Sequence, residues 1–404
     1  MTPAIIVGLL VVLLTVALVL DIWWADNASA ELERTSESAA LAAGRALVSD
    51  DLLKDDPKAA ERRLQRARRE AIRMAEKNQV AGRPVRLDAH SQRDIRFGRF
   101  VHDADTGQNV FVKSPDKPNT VAVTTHRNRG NGNPVARLFR GITGRSGEDM
   151  SRTAEVTADN HVVGLRPYRG VDAPLWPIAI ADVSVSDSHG SPLDFWSRHI
   201  ERRGPGRMRR GELIRSRGGR DDYSWDERHR RVVDRPDGIP EMVLRCGDRG
   251  STLKSTNVKL VDLGTGLQPL NLDHQMQHGV SAAELSPFRG ELRFDGRPLE
   301  INAFNDLPIG IRRRLSEQVG RCRIALLYSS FTPTNRNGVG RIRSGRIVAA
   351  RVMAVRAQRD GSCEIVIQPG TLVTRTALLA DPSLPAERRE RFRNRYIYKL
   401  QVTR

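Results

Sequence analysis

The chain has 404 residues, of which 39% are hydrophobic and 28% charged, with a formal net charge of +18. That balance excludes wholesale disorder, and the length allows one anchor and about two globular units at ~150 residues each. The positive excess lies wholly beyond Asp56 and is mostly Arg; with only 5% aromatics to stack on bases, it argues against nucleic acid as a partner.

Residues 3–24, PAIIVGLLVVLLTVALVLDIWW, are the one segment apolar enough for a bilayer. Together they reach about the 20 residues that ~30 Å of hydrocarbon requires of a helix. Trp23 and Trp24 stand where an amphipathic ring meets headgroups. The expectation is a retained single-pass anchor over 1–25. A cleaved signal peptide is the competing form, with Ala28-Ser29-Ala30 as its cleavage site, but no Lys or Arg precedes the run. Downstream, Arg34 and Arg45 are the only basic residues before Lys54. Scarce positive charge at the exit places the bulk of the chain outside the cytoplasmic membrane.

Residues 26–79 read as a helical stalk. Leu32, Ser36, Ala39, Ala40, Ala43 and Leu47 recur at steps of three and four, and a second helix is predicted from Pro57 with a stripe of Ala60, Leu64, Ala67, Ala71, Met74 and Ala75. Its many Arg side chains cover the solvated remainder. From 80 to 190 short β-rich runs such as DIRFGRFV, NVFVK and TVAVTTHR alternate with Gly, Asn and Pro turns. Residues 191–238, rich in Arg and Gly, read as a linker or exposed loop. A second β-rich unit spans 239–404, with a hairpin turning at 359–362, a short helix over Ile311–Val319, and an Arg-rich tail from Arg388 to Arg395. The fold class expected is α+β: a transmembrane helix and helical stalk followed by two mainly β extracytoplasmic units.

Cys246, Cys322 and Cys363 lack metal-ligand spacing. In an oxidising compartment Cys322 and Cys363, both in strand-like segments, are the favoured pair, with small buried hydrophobes as the competing role.

The order of pieces resembles the TadG-like proteins of the tight-adherence (Tad/Flp) pilus-assembly systems. LDIWWADNASAELERTSESAALAAGRAL looks like that family's membrane helix running through an acidic residue into "Q-x-A-A-D-A-A-A-L-A-A". MAEKNQVAGRPVRLD, DIRFGRF, Pro118-Asn119-Thr120-Val121-Ala122-Val123 and GNPVARLFRGITG follow in the family's sequence of elements. The likeness spans residues 4–181 and loosens beyond Asp182. It implies a membrane-anchored, pseudopilin-like envelope component whose partners are membrane lipid, other pilus or envelope proteins, and further copies meeting through small-residue helix faces. No enzyme activity and no cofactor come with it.

One motif points elsewhere. Asp182, Ser184 and Ser186 form D-x-S-x-S, the metal-site signature of von Willebrand factor A domains. Oxygens at i, i+2 and i+4 beyond a strand can converge on Mg²⁺, which would make the chain a metal-dependent adhesin. Against it stand the short strand Ile178–Ala181 after Pro177 and the want of alternating strands and helices downstream. His274 and His278 share an i, i+4 spacing, but their Asp and Gly neighbours suggest a surface loop. No HExxH, GxSxG or P-loop appears.

Overall fold

A computed structural model describes residues 2–54, 56–88, 91, 93–102, 109–139, 147–182, 221–246, 257–264, 266–296, 298–305, 307–334, 339–357 and 363–403. The fold is α+β. It comprises two compact units, the first from residues 1–48, 60–158 and 400–404, the second from 49–59 and 159–399.

In the first unit, helix α1 (Thr2–Leu47) runs unbroken from the apolar segment into the small-residue stripe, so the two segments expected as anchor and stalk are one rod. Helix α2 (Pro57–Lys77) starts at the predicted proline. Strands β1 (Ile95–His102), β2 (Asn109–Lys113), β3 (Thr120–Arg127) and β4 (Met150–Asp159) pair antiparallel in the order β4-β3-β1-β2. Leu32, Ala39, Ala40 and Ala43 of α1, together with Ala67, Ala71 and Ala75 of α2, are buried with Val121, Val123, Ala154 and Val156 of the sheet. The Thr125 hydroxyl donates to the Leu32 carbonyl at 3.2 Å, and the Asn78 amide bridges Ser38 Oγ at 3.1 Å and the Met74 carbonyl at 2.8 Å. The α2 stripe departs from expectation at both edges: Ala60 is exposed, while Arg63 is buried and reaches the Leu47 carbonyl at 3.5 Å.

Small residues let α1 lie close on the sheet, and Gly44 marks the closest approach. A Cβ there would come within 2.8 Å of Val156 Cγ1. A Gly in a helix interior costs about 1 kcal/mol relative to Ala, so its presence reflects the contact rather than propensity. Gly44→Leu is expected to destabilise this unit by about 1–3 kcal/mol through overpacking. The urea midpoint checks it: Val156→Ala should recover part of the loss, and an unchanged midpoint would deny the contact.

The second unit holds β5 (Leu175–Ala181), β6 (Met242–Cys246), β7 (Val258–Val261), β8 (Leu299–Phe304), β9 (Cys322–Pro333), β10 (Val339–Ala357) and β11 (Cys363–Pro369). Their order is β6-β11-β10-β8-β7-β5-β9, and β9 also pairs with β10, so five strands close into a ring. Every pairing in it is antiparallel except β5 with β9. Helices α3 (Pro269–Gln277) and α4 (Ile309–Glu317) are inserted between strands, α4 close to its predicted place. Strand β5 is not cut short at Pro177 as expected: it runs from Leu175, and its register against β9 shifts between Leu175 and Ala179. A proline, lacking N–H, is tolerated inside a sheet at such an irregularity.

Two expectations are corrected here. Residues 221–238, read as linker, hold an antiparallel hairpin of Ser224–Asp226 with Arg231–Val233; residues 191–220 of that segment lie outside the described residues. The disulfide joins Cys246 to Cys363, not Cys322 to Cys363. Cys246 and Cys363 sit directly opposite in the β6–β11 register with Cα atoms 5.3 Å apart, within bridging range, whereas Cys322 lies opposite Arg351 and stays a free thiol. Burial pushes the Cys322 thiol up to about 12, which favours its protonated form at neutral pH.

Candidate anchoring site at the exit of the apolar helix

Helix α1 divides into two surfaces. Every Ile, Leu and Val from Ile5 to Leu20 keeps 41% or more of its surface exposed. A line of buried positions nevertheless begins within that run: Ala17, Asp21, Ala25, Ala28 and Leu32 are buried at steps of three and four, and the last two belong to the core shared with the sheet. Asp21 is therefore the one acidic member of a small, apolar packing face, placed where the aliphatic run ends.

Its carboxylate is completely buried and fully engaged. Oδ2 accepts from Arg137 Nη1 at 3.2 Å, and Oδ1 accepts from the Leu138 backbone N–H at 2.8 Å. One turn later Trp24 Nε1 donates to the Ala136 carbonyl at 3.0 Å. Arg137 also pairs with Glu148, which lies on the strand facing Val135–Ala136. Three consecutive residues, Ala136 to Leu138, are thus tied to the helix by a buried ion pair and two hydrogen bonds. Burying a charge is tolerated only with such complete pairing. Sequence reasoning found Trp24 and an acidic residue at the helix exit, but missed the pairing of Asp21 with Arg137. Asp21 was detectable as an extension of the stripe from Leu32; nothing local marked Arg137 as its partner.

Asp182 lies at the end of β5 in the second unit. Its carboxylate is paired with Arg346, whose Nε donates to Oδ2 at 3.0 Å, and its backbone N–H donates to the Tyr328 carbonyl at 2.9 Å. Ser184 and Ser186 lie outside the described residues. A doubly wound parallel sheet, the setting in which the D-x-S-x-S motif has meaning, differs from the mainly antiparallel ring found here. Among the described residues no group of three or more His, Cys, Asp or Glu is arranged to hold a metal. His274 is on α3 and His278 caps it, a helix where a loop was expected, and both rings are exposed.

The Arg-rich stretch near the C-terminus is folded rather than a tail. It contains a helical turn at Ala386–Glu390, Arg389 pairs with buried Asp159 at 2.6 Å, and the Asn394 amide donates to the Ile347 carbonyl at 2.8 Å. Although burial opposes its ionisation, hydrogen bonds from His161 and the Arg389 charge hold Asp159 below the usual carboxylate range. Arg391 lines two shallow clefts of about 170 and 280 Å³.

A second polar cluster braces the hairpin. The Glu241 carboxyl accepts backbone N–H groups from Asp222 at 2.9 Å and Tyr223 at 3.1 Å, and Gln368 Nε2 at 3.2 Å. Asp221 accepts from the backbone of Asp237 and Gly238, both at 2.8 Å. Burial, with Asp221 adding repulsion, pushes Glu241 up to about 7 and Asp237 up to about 6. A carboxyl whose folded value is raised stabilises the fold fully below its unfolded value and loses that contribution as pH rises through the folded value. The second unit is therefore expected to lose about 1–2 kcal/mol as pH rises from about 4 to about 7, after discounting for screening on the solvent side. Urea midpoints across that range check it, and Glu241→Gln should flatten the dependence.

Compared with known protein families, curated proteins and solved structures, this chain matches none.

Proposed function

We propose that the chain is a membrane-anchored, pseudopilin-like structural component of a cell-envelope assembly of the tight-adherence pilus type, single-pass, with its folded units outside the cytoplasmic membrane. The observation that carries this is the division of α1: one continuous rod offers bare aliphatics over its first half and packs small residues into a β-sheet over its second. Such a helix is long and apolar enough to cross a bilayer. Retention of the segment is favoured because cleavage after Ala30 would remove Asp21 and Trp24, which hold residues 136–138. The Cys246–Cys363 disulfide favours an oxidising compartment. The exposed aliphatic face is also where further copies or other envelope proteins would meet the anchor, through Gly8 and the other small residues.

The test is fractionation of the native host followed by affinity capture from detergent-solubilised membranes. The expected result is full-length chain in the integral membrane fraction, Cys246 and Cys363 oxidised, and pilus or envelope proteins co-purifying. Full-length chain in the cytosol with residues 1–30 intact would reject the proposal.

A further inference from the structure

We propose that the segment Ala136–Leu138 is a second lipid contact, a ledge resting on the bilayer surface beside α1 and fixing the height at which the first unit stands. The inference depends on α1 spanning a membrane, as proposed above.

A single exposed leucine is ordinary. Leu138, 51% exposed, is unusual in its support, because its backbone N–H is bonded to Asp21 and the residue before it is ion-paired to the same carboxylate. The side chain is thus held outward on a loop pinned to the helix. It is pinned at a particular level. Residues Leu20 to Trp24 occupy about 6 Å of helix axis at 1.5 Å per residue, close to the ~5–7 Å that separates the hydrocarbon edge from the outer limit of the headgroups. Within that layer Leu20, Ile22 and Trp23 are 41%, 50% and 65% exposed, so the rod presents apolar surface at the level where the ledge is tied to it.

The charges nearby are arranged for an interface. Arg137 is held between Asp21 and Glu148, which spares the hydrocarbon an uncompensated cation. The indole N–H of Trp24 is satisfied by the Ala136 carbonyl, while Trp23 projects freely, as aromatic residues do at headgroups. The occupant is lipid rather than protein because the patch is one leucine and its half-buried neighbour Phe139, far below the ~1,000 Å² of a stable protein interface, yet tied at the level of the anchor's own apolar surface.

The experiment places an environment-sensitive fluorophore at Val12→Cys, Trp23→Cys, Leu138→Cys and Asn131→Cys in the full chain. Each is reconstituted in nanodiscs of phosphatidylethanolamine and phosphatidylglycerol, with the unsubstituted chain correcting for label on Cys322. Blue-shifted emission at residue 138, quenched by shallow doxyl lipids as strongly as at residue 23 while residue 131 stays aqueous, is the expected result. Asp21→Ala should release the ledge and reduce quenching at 138 without altering residue 12. A label at 138 that behaves like that at 131 while residue 12 is lipid-embedded would overturn the ledge alone. An aqueous label at residue 12 would overturn the anchor as well.

Discussion

Reduction of the Cys246–Cys363 disulfide is expected to lower the stability of the second unit by about 4 kcal/mol and its melting temperature by roughly 10 °C. The bridge closes a loop of 117 residues. In the chain-entropy account a loop near that length restricts the unfolded ensemble by about 4–5 kcal/mol, less whatever structure the reduced chain retains. Its position adds leverage, since among the described strands β6 is terminal in the sheet and pairs only with β11. Once reduced, β6 keeps its backbone hydrogen bonds to β11, the packing of Leu244, and two hydrogen bonds with the Asn257 amide, which accepts from the Arg245 N–H at 2.7 Å and donates to the Val243 carbonyl at 2.9 Å. Thermal melts with and without a phosphine reductant, and of Cys246→Ala with Cys363→Ala, check the value. Cys322→Ala should leave the difference between oxidised and reduced protein intact. A melting temperature indifferent to reduction would show that the bridge does not form.

Helices α1, α2 and α4 and most strands were legible because their patterns are local, whereas α3 was read as a loop. The stripe from Leu32 to Leu47 and the proline at 57 specify α1 and α2 without reference to the rest of the chain, and the alternating runs specify β1 to β4 in the same way. What could not be read are choices made by distant partners. Residues 49–59 fold with the second unit rather than with the stalk, because Asp50 accepts from the Thr371 backbone at 2.7 Å and pairs with Arg351 at 2.9 Å. Arg351 is itself buried against Trp225, donating to the Gly320 carbonyl at 2.7 Å. Those partners lie some 300 positions downstream, so no window of sequence contains them. The disulfide failed for the same reason: all three cysteines occupy strands, and only the register selects Cys246 over Cys322. At the candidate site, the apolar run and its tryptophans were plain, while the ion pair beneath them spans 116 positions.

Replacing Asp21 by alanine is expected to destabilise the first unit by about 3–5 kcal/mol, the ordinary consequence of removing one partner from a buried ion pair. Two groups lose their acceptor together, the Arg137 guanidinium and the Leu138 N–H, and alanine offers neither a replacement. Asp21→Asn keeps an acceptor for Leu138 and loses only the charge, so about 1–2 kcal/mol is expected. Because Arg137 retains Glu148, the cost should fall at the lower end of its range. Asp21→Leu combined with Arg137→Met should recover much of the stability, since an apolar pair of similar volume avoids the desolvation that the ions suffer. The double variant would then fold well yet leave the Leu138 N–H without its carboxylate. Urea unfolding of the full chain in detergent, followed by the fluorescence of Trp24, measures each term, and the cycle with Arg137→Ala isolates the coupling. An Asp21→Ala cost below about 1 kcal/mol with no coupling to Arg137 would mean that the pair behaves as a solvent-screened surface contact. The loop would then be free to leave the helix, and the ledge proposed above would lose its support.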